Sequence, residues 1–275
     1  MVEPLSSCCF GKAKSSATLH GKTVLVTGAN TGIGLETSLD LARRGGRIIM
    51  ACRNLDRANK AAEVIREKVP DADLNLMKLD TSSLESVRQF AAEFSNQENR
   101  LDILILNAGI RAPLKRTITD DGLELTMATN HYGHFLLTML LLDLIIRSQP
   151  SRIVIVSSSG HLFGKIDLQD TTYENKGHYK TFLAYCDSKL ANVLFAKALA
   201  KKLSGTERWI EGTMKTEIFM AIQDTDERFK GQIVTGRRPA SFRQIFQQAG
   251  VFEGGKENGR TGSGGLSSCA ARGEL

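Results

Sequence analysis

A chain of 275 residues that is 41% hydrophobic can bury the core of one substantial α/β domain. Its formal net charge of +6 is scattered among acidic residues, which suits an anionic ligand, and no motif for nucleic-acid binding accompanies it. The five cysteines (Cys8, Cys9, Cys52, Cys186 and Cys269) have neither metal-ligand spacing nor a disulfide framework, so no metal is expected and a reducing cytoplasm fits best.

Residues 1–18 lack the apolar run of a signal peptide or membrane anchor and are expected to be a flexible N-terminal segment. Cys8-Cys9 near Lys12 and Lys14 leave lipidation, and with it peripheral membrane association, open. Lys22–Thr27 is a β-branched run that ends at a glycine loop, which predicts a buried strand. Thr31–Arg44 has helical spacing and stops at Gly45-Gly46. Arg47–Ala51 predicts a second strand, and Leu55–Val69 a helix closed by Pro70. Leu74–Leu79, Leu101–Leu106 and Arg152–Val156 supply three more strands with helical patterns between them. The apolar run Phe135–Ile146 is too short to span a bilayer and contains Asp143, so it predicts a buried or subunit-interface helix. Tyr185–Leu203 is an amphipathic helix. Alternating strands and helices predict right-handed crossovers and a doubly wound parallel sheet of Rossmann type.

Three places carry chemistry. The loop Thr27-Gly-Ala-Asn-Thr-Gly-Ile-Gly34 lies between a strand and a helix, where Gly28, Gly32 and Gly34 let backbone approach a pyrophosphate. Asn30, Thr31 and Ile33 belong to the same cradle, and the helix start offers amide donors. At the end of the second strand, no acid stands ready for a ribose 2′-hydroxyl. Arg53 stands there instead, suited to a 2′-phosphate, which favours NADP(H) over NAD(H). Asp80, ending the third strand, is placed to meet an adenine edge or to cap the next helix. Finally, Tyr185 and Lys189 are four residues apart on one helix face, and a cation there favours the phenolate of a group that titrates near pH ~10.

These motifs together resemble the short-chain dehydrogenase/reductase family, and within it the retinol dehydrogenase group. The resemblance covers about Leu19 to Leu203 through TGANTGIG from Thr27, ACRN from Ala51, LDTSS from Leu79, NAG from Asn107, TNHYGHF from Thr129, VSSSG from Val156 and YCDSK from Tyr185. It implies that Asn107, Ala108 and Gly109 border the adenosine. Asn130 matches an asparagine at a helix kink that holds a proton-relaying water. Ser158 matches the serine that bonds the substrate oxygen, Tyr185 the catalytic acid, and Lys189 the residue that lowers its pKa and grips the nicotinamide ribose. The insertion Leu162–Thr181, which widens the gap between Ser158 and Tyr185, is similar to one in the retinol dehydrogenase group. The implied activity is hydride transfer between NADP(H) and a small hydrophobic alcohol or carbonyl such as a retinoid, by a homodimer packed through Leu123–Ile146 and Tyr185–Leu203.

The pattern falters after Leu203. No continuous apolar run lies between Gly205 and Gly212, so the sixth strand and the lid region are expected to be incomplete. Thr216, in KTEIF, still matches a family threonine that contacts the carboxamide. The expected division is therefore a dehydrogenase domain over 19–222 and an atypical, disordered tail over 223–275, rich in glycine and serine from Gly254. The alternative is a truncated splice-type variant that binds nucleotide or a partner without turnover.

Overall fold

A computed structural model describes residues 17–175, 177, 179–204 and 217–223. Among the described residues, six strands form one sheet: β1 (Thr23–Thr27), β2 (Arg47–Cys52), β3 (Leu74–Lys78), β4 (Ile103–Leu106), β5 (Arg152–Ser158) and β6 (Glu217–Gln223). Their order is β3-β2-β1-β4-β5-β6 and every pairing is parallel. Helices α1 (Gly32–Arg43), α2 (Leu55–Lys68), α3 (Leu84–Gln97), α4 (Leu125–Met127), α5 (Gly133–Arg147) and α6 (Thr181–Ser204) make the connections. The doubly wound parallel sheet read from the strand–helix alternation is the observed one.

Strands covered on both faces read as continuous apolar runs, and β1 and β2 show why. Val24 and Val26 pack with Ile48 and Met50 against Leu39, Ala42 and Ile65, on the side of α1 and α2. Leu25 and Ile49 point the other way, into a core with Phe90, Phe94, Leu137, Leu141 and Phe195 from α3, α5 and α6. Each such buried side chain contributes about 1.5–3 kcal/mol. Side-chain caps start α2 and α3: Asn54 accepts from the Arg57 amide at 2.8 Å and Ser83 from the Ser86 amide at 3.2 Å.

Two features depart from the expected pattern. The apolar run Phe135–Ile146 lies within α5, but the longer helix expected around Leu123–Ile146 is not one rod, because a π-helical turn (Ala128–Tyr132) separates α4 from α5. Gly133, just beyond it, lies so close to Thr81 that a Cβ would strike the Thr81 carbonyl oxygen. The second departure is a correction. The sixth position of the sheet, expected to be incomplete, is filled by β6, which pairs with β5 from Glu217 opposite Arg152 to Gln223 opposite Ser158. An apolar stretch of about five residues suffices for a strand, and Ile218–Ile222 supplies it, beginning six residues beyond Gly212 and satisfying an otherwise open edge of β5. The sheet thus extends through Gln223. Thr216, the lid region, the tail over 224–275 and the segment carrying Cys8 and Cys9 lie outside the described residues.

Candidate active site

The strand order reverses between β1 and β4, and ligands of doubly wound sheets bind in the crevice at such a point. The turn after β1 is built for close approach. Gly28 and Gly32 have φ of +66° and +54°, a region that glycine enters without strain. Gly34 is pressed against the turn, so that a Cβ there would collide with the Gly28 carbonyl and lie 2.6 Å from Asn107 Nδ2. Gly34→Ala should cost about 1–3 kcal/mol of stability as backbone moves and weaken nucleotide binding, both readable by thermal melting and by quenching of NADPH fluorescence. Wild-type affinity in that variant would show that the turn does not depend on the close approach.

Helix α1 begins at Gly32, and Thr31 makes no side-chain cap bond, so its first amides face the loop mouth with the positive end of the helix dipole. That arrangement fits a phosphate. Exposed Thr31 and half-buried Asn30 and Ile33 complete the cradle. The Cys52 thiol, hydrogen-bonded by the backbone of Ala29 and Asn30, is pushed up to about 11 by burial and stays protonated beneath the loop. Asn107 ties β4 to the turn, its side chain donating to the carbonyls of Thr27 at 2.9 Å and Gly28 at 3.3 Å. The amides of Asn107 and Ala108 both donate to the Thr27 hydroxyl at 2.9 Å.

Arg53 stands at the rim of this crevice with its side chain 67% exposed, Nη1 lying 3.9 Å from Asp80 Oδ2. The other oxygen of Asp80 accepts from the Ser82 amide at 2.9 Å and hydroxyl at 2.6 Å, so Asp80 orders the turn before α3. An ion pair this open is worth about 0–1 kcal/mol. Arg53 is therefore free to turn toward a stronger anion.

The remaining candidates gather past the ends of β4 and β5. Ser158, the last residue of β5, is fully buried, and its hydroxyl accepts from the Gly160 amide at 3.1 Å. Gly160 lies between Ser158 and Tyr185: a Cβ there would sit 3.5 Å, van der Waals contact, from both Ser158 Oγ and the Tyr185 ring. A Cβ on Gly109 would likewise sit 3.2 Å from Asn130 Oδ1 and 3.5 Å from Lys189 Nζ. Asn130 lies in the π-helical turn; its side chain accepts from the Ile110 amide at 2.8 Å and donates to the Ile110 carbonyl at 3.0 Å and Ser188 Oγ at 2.9 Å. Lys189 Nζ is 5.6 Å from the centre of the Tyr185 ring. One cluster thus contains Asn130, Ser158, Tyr185 and Lys189, joined to the glycine turn through Asn107–Gly109.

Its electrostatics differ from the simple expectation of a lysine lowering its neighbouring phenol. Burial pushes the Tyr185 phenol above its ordinary value, against the Ser158 hydrogen bond and the Arg111 charge, which favour the phenolate. The Lys189 ammonium lies over the ring face and donates to the Val156 carbonyl at 3.4 Å, and burial pushes it down to about 8. An unfolded lysine titrates near 10.5, so between about 8 and 10.5 the unfolded chain holds more protons and stability rises with pH. Lys189→Met should accordingly stabilise the nucleotide-free protein at pH 7, by up to roughly 3 kcal/mol, and flatten that slope. Urea midpoints across pH 7–11 check it, and an unchanged slope would mean that the ammonium is solvated.

Sequence reading missed several residues that hold this site. Thr27 gathers two amides, and His134 lies against it. Asp187, between Tyr185 and Lys189 in YCDSK, faces the opposite side of α6 and fastens the 162–181 insertion, accepting from the Tyr173 hydroxyl at 2.7 Å and the Lys165 amide at 2.6 Å. A cavity of about 260 Å³ opens there, lined by Met127, Ile166, Tyr173, Leu183 and Asp187. The only sequence cue was that helical spacing turns position 187 away from 185 and 189.

Among the described residues no helix is long and apolar enough to cross a membrane. The sequence model described as short chain dehydrogenase matches residues 22–170. Retinol dehydrogenase 13 of Homo sapiens is 50% identical over 197 residues, covering 71% of this chain and 59% of that protein. Retinol dehydrogenase 12 of Homo sapiens is 46% identical over 197 residues, covering 71% and 61%. The chain spans less than two thirds of the length of these curated relatives. Among solved structures, a protein of Mycobacterium paratuberculosis superposes with a TM-score of 0.67 at 29% identity, over 86% of this chain and 90% of that one. A Shigella flexneri short chain dehydrogenase complexed with NADP gives 0.55 at 26% identity, over 68% and 74%.

Proposed function

The chain belongs to the short-chain dehydrogenase family, and from that premise we propose that it is an NADP(H)-dependent oxidoreductase interconverting a hydrophobic alcohol and its carbonyl form, a retinoid being one such substrate. The observation that carries this reading is the convergence of Asn130, Ser158, Tyr185 and Lys189 beside a glycine turn. The nicotinamide, when bound, supplies or takes up the hydride. Gly28, Asn30, Thr31, Gly32, Ile33 and Gly34 would hold its phosphates, Arg53 its 2′-phosphate, and Asp80, Asn107, Ala108 and Gly109 its adenosine side.

The residues divide the remaining work. Ser158 donates its hydroxyl to the substrate oxygen and steadies the charge that grows there. Tyr185 passes its proton to the same oxygen. A phenol held above its ordinary value is protonated at neutral pH, which is the state a reduction needs. With its pKa pushed down to about 8, Lys189 is still mostly charged at neutral pH, and a bound anion would favour its ammonium form further. Asn130 keeps the helix break and α6 in register.

A hydrophobic substrate is supported by apolar side chains left open next to the cluster. Leu162, Phe163 and Phe182 are 53%, 63% and 59% exposed, and the two rings lie 5.9 Å apart. Phe182 shares the helix face of Tyr185 one turn away. The proposal includes a homodimer through α5 and α6, where Phe135 and Leu140 are also exposed. Consumption of NADPH by purified protein with retinaldehyde and with short aldehydes tests the reading. Binding of NADPH with no consumption of it would favour the alternative of a chain that binds without turnover.

A further inference from the structure

His134 stands behind the cluster, on the first turn of α5, with 1% of its surface exposed. Its Nε2 is 2.9 Å from the Thr27 hydroxyl oxygen and its Nδ1 is 3.2 Å from the Asn130 carbonyl oxygen. Hydrogen-bond accounting fixes which nitrogen carries the proton. A carbonyl can only accept, so Nδ1 must donate to Asn130. The Thr27 oxygen already accepts from the Asn107 and Ala108 amides, which fill its two lone pairs, so toward the ring it can only donate. Its one hydrogen has two acceptors in reach, a bare Nε2 at 2.9 Å and the Ile105 carbonyl oxygen at 3.4 Å, and the nearer is Nε2. Both ends demand the same neutral tautomer.

We infer that His134 is a positioning residue that links the root of the nucleotide turn, through Thr27, to the helix break that presents Asn130. This rests on the oxidoreductase reading of the site. Two of its neighbours set register: Thr27 immediately precedes Gly28, and Asn130 grips Ile110 and Ser188, whose hydroxyl in turn bonds the Tyr185 carbonyl at 2.7 Å. A shift at the turn is therefore transmitted to α6 through one ring. The ring suits this task because burial pushes its pKa down to about 3, and the nearby Lys189 charge acts in the same direction. It keeps its tautomer over the whole working pH range.

Two substitutions separate the two links. His134→Asn places an amide nitrogen near the Nδ1 position and keeps donation to Asn130; His134→Gln places an oxygen near the Nε2 position and keeps acceptance from Thr27. We expect His134→Asn to raise the NADPH dissociation constant with kcat nearly unchanged. His134→Gln should lower kcat, leaving NADPH affinity nearly unchanged, and each effect should be about 5- to 100-fold, as for one buried hydrogen bond. Nitrogen-15 NMR of the His134 ring should show Nδ1 protonated and Nε2 bare, with the Nε2 signal shifting when NADPH is added. An Nε2–H tautomer would overturn the inference, as would variants that lose affinity and kcat together in step with their melting temperature. Wild-type protein that binds NADPH but consumes none would defeat the oxidoreductase reading alone, while the tautomer and the affinities of the variants would still decide the role of His134.

Discussion

Tyr185→Phe is expected to lower kcat by about 10²–10⁴-fold, the usual contribution of a positioned proton donor, and to leave NADPH affinity nearly unchanged. The substitution removes one oxygen and keeps the ring, so the contact with Lys189 and the packing around Gly160 survive. Ser158 loses its bond to the phenol but keeps the Gly160 amide, so the cost in stability is limited to about 1 kcal/mol. The loss should therefore appear in single-turnover rates with NADPH and an aldehyde, and only slightly in the melting temperature. An equal loss of turnover and cofactor affinity would place the phenol in the scaffold. The pH profile adds a sign. Burial raises the phenol, so reduction should hold up to alkaline pH and fall only as the phenol ionises, while alcohol oxidation should rise over the same range.

How much of this was legible in the residues differs from place to place. The glycine turn was, because Gly28, Gly32 and Gly34 follow a β-branched run and precede helical spacing, and their needs are local. The shared face of Tyr185 and Lys189 followed from helix geometry alone. Their electrostatics did not, because spacing says which groups are neighbours and nothing about how deeply each is buried. The π-helical turn at Ala128–Tyr132 is implied for Asn130 only through family resemblance, since the polar residues of ATNHY carry no periodicity that tells a π-helical turn from an α-helical one. β6 is hidden because no apolar run stands at the expected distance from α6, and the strand forms from residues that flank Thr216 in KTEIF. His134 is hidden for the opposite reason. A histidine amid apolar helix residues is indistinguishable by pattern from a satisfied core residue, and only the positions of Thr27 and Asn130 show what it joins.

Arg53→Asp is expected to weaken NADPH far more than NADH, by about 100-fold or more relative to NADH, since a charge-assisted bond to a phosphate is lost and a like charge replaces it. Arg53 is two-thirds exposed and, among the described residues, pairs with Asp80 at 3.9 Å, so little holds it in place and little stability is lost with it. An aspartate there would also stand beside Asp80, a second carboxylate at the rim, and the pair would repel a 2′-phosphate while offering acceptors to a 2′-hydroxyl. NADH binding should therefore persist or improve. Fluorescence titrations with both nucleotides, repeated at high salt to screen the charge difference, measure the ratio. The same ratio in the variant as in the wild type would end the argument that this arginine selects the phosphorylated cofactor.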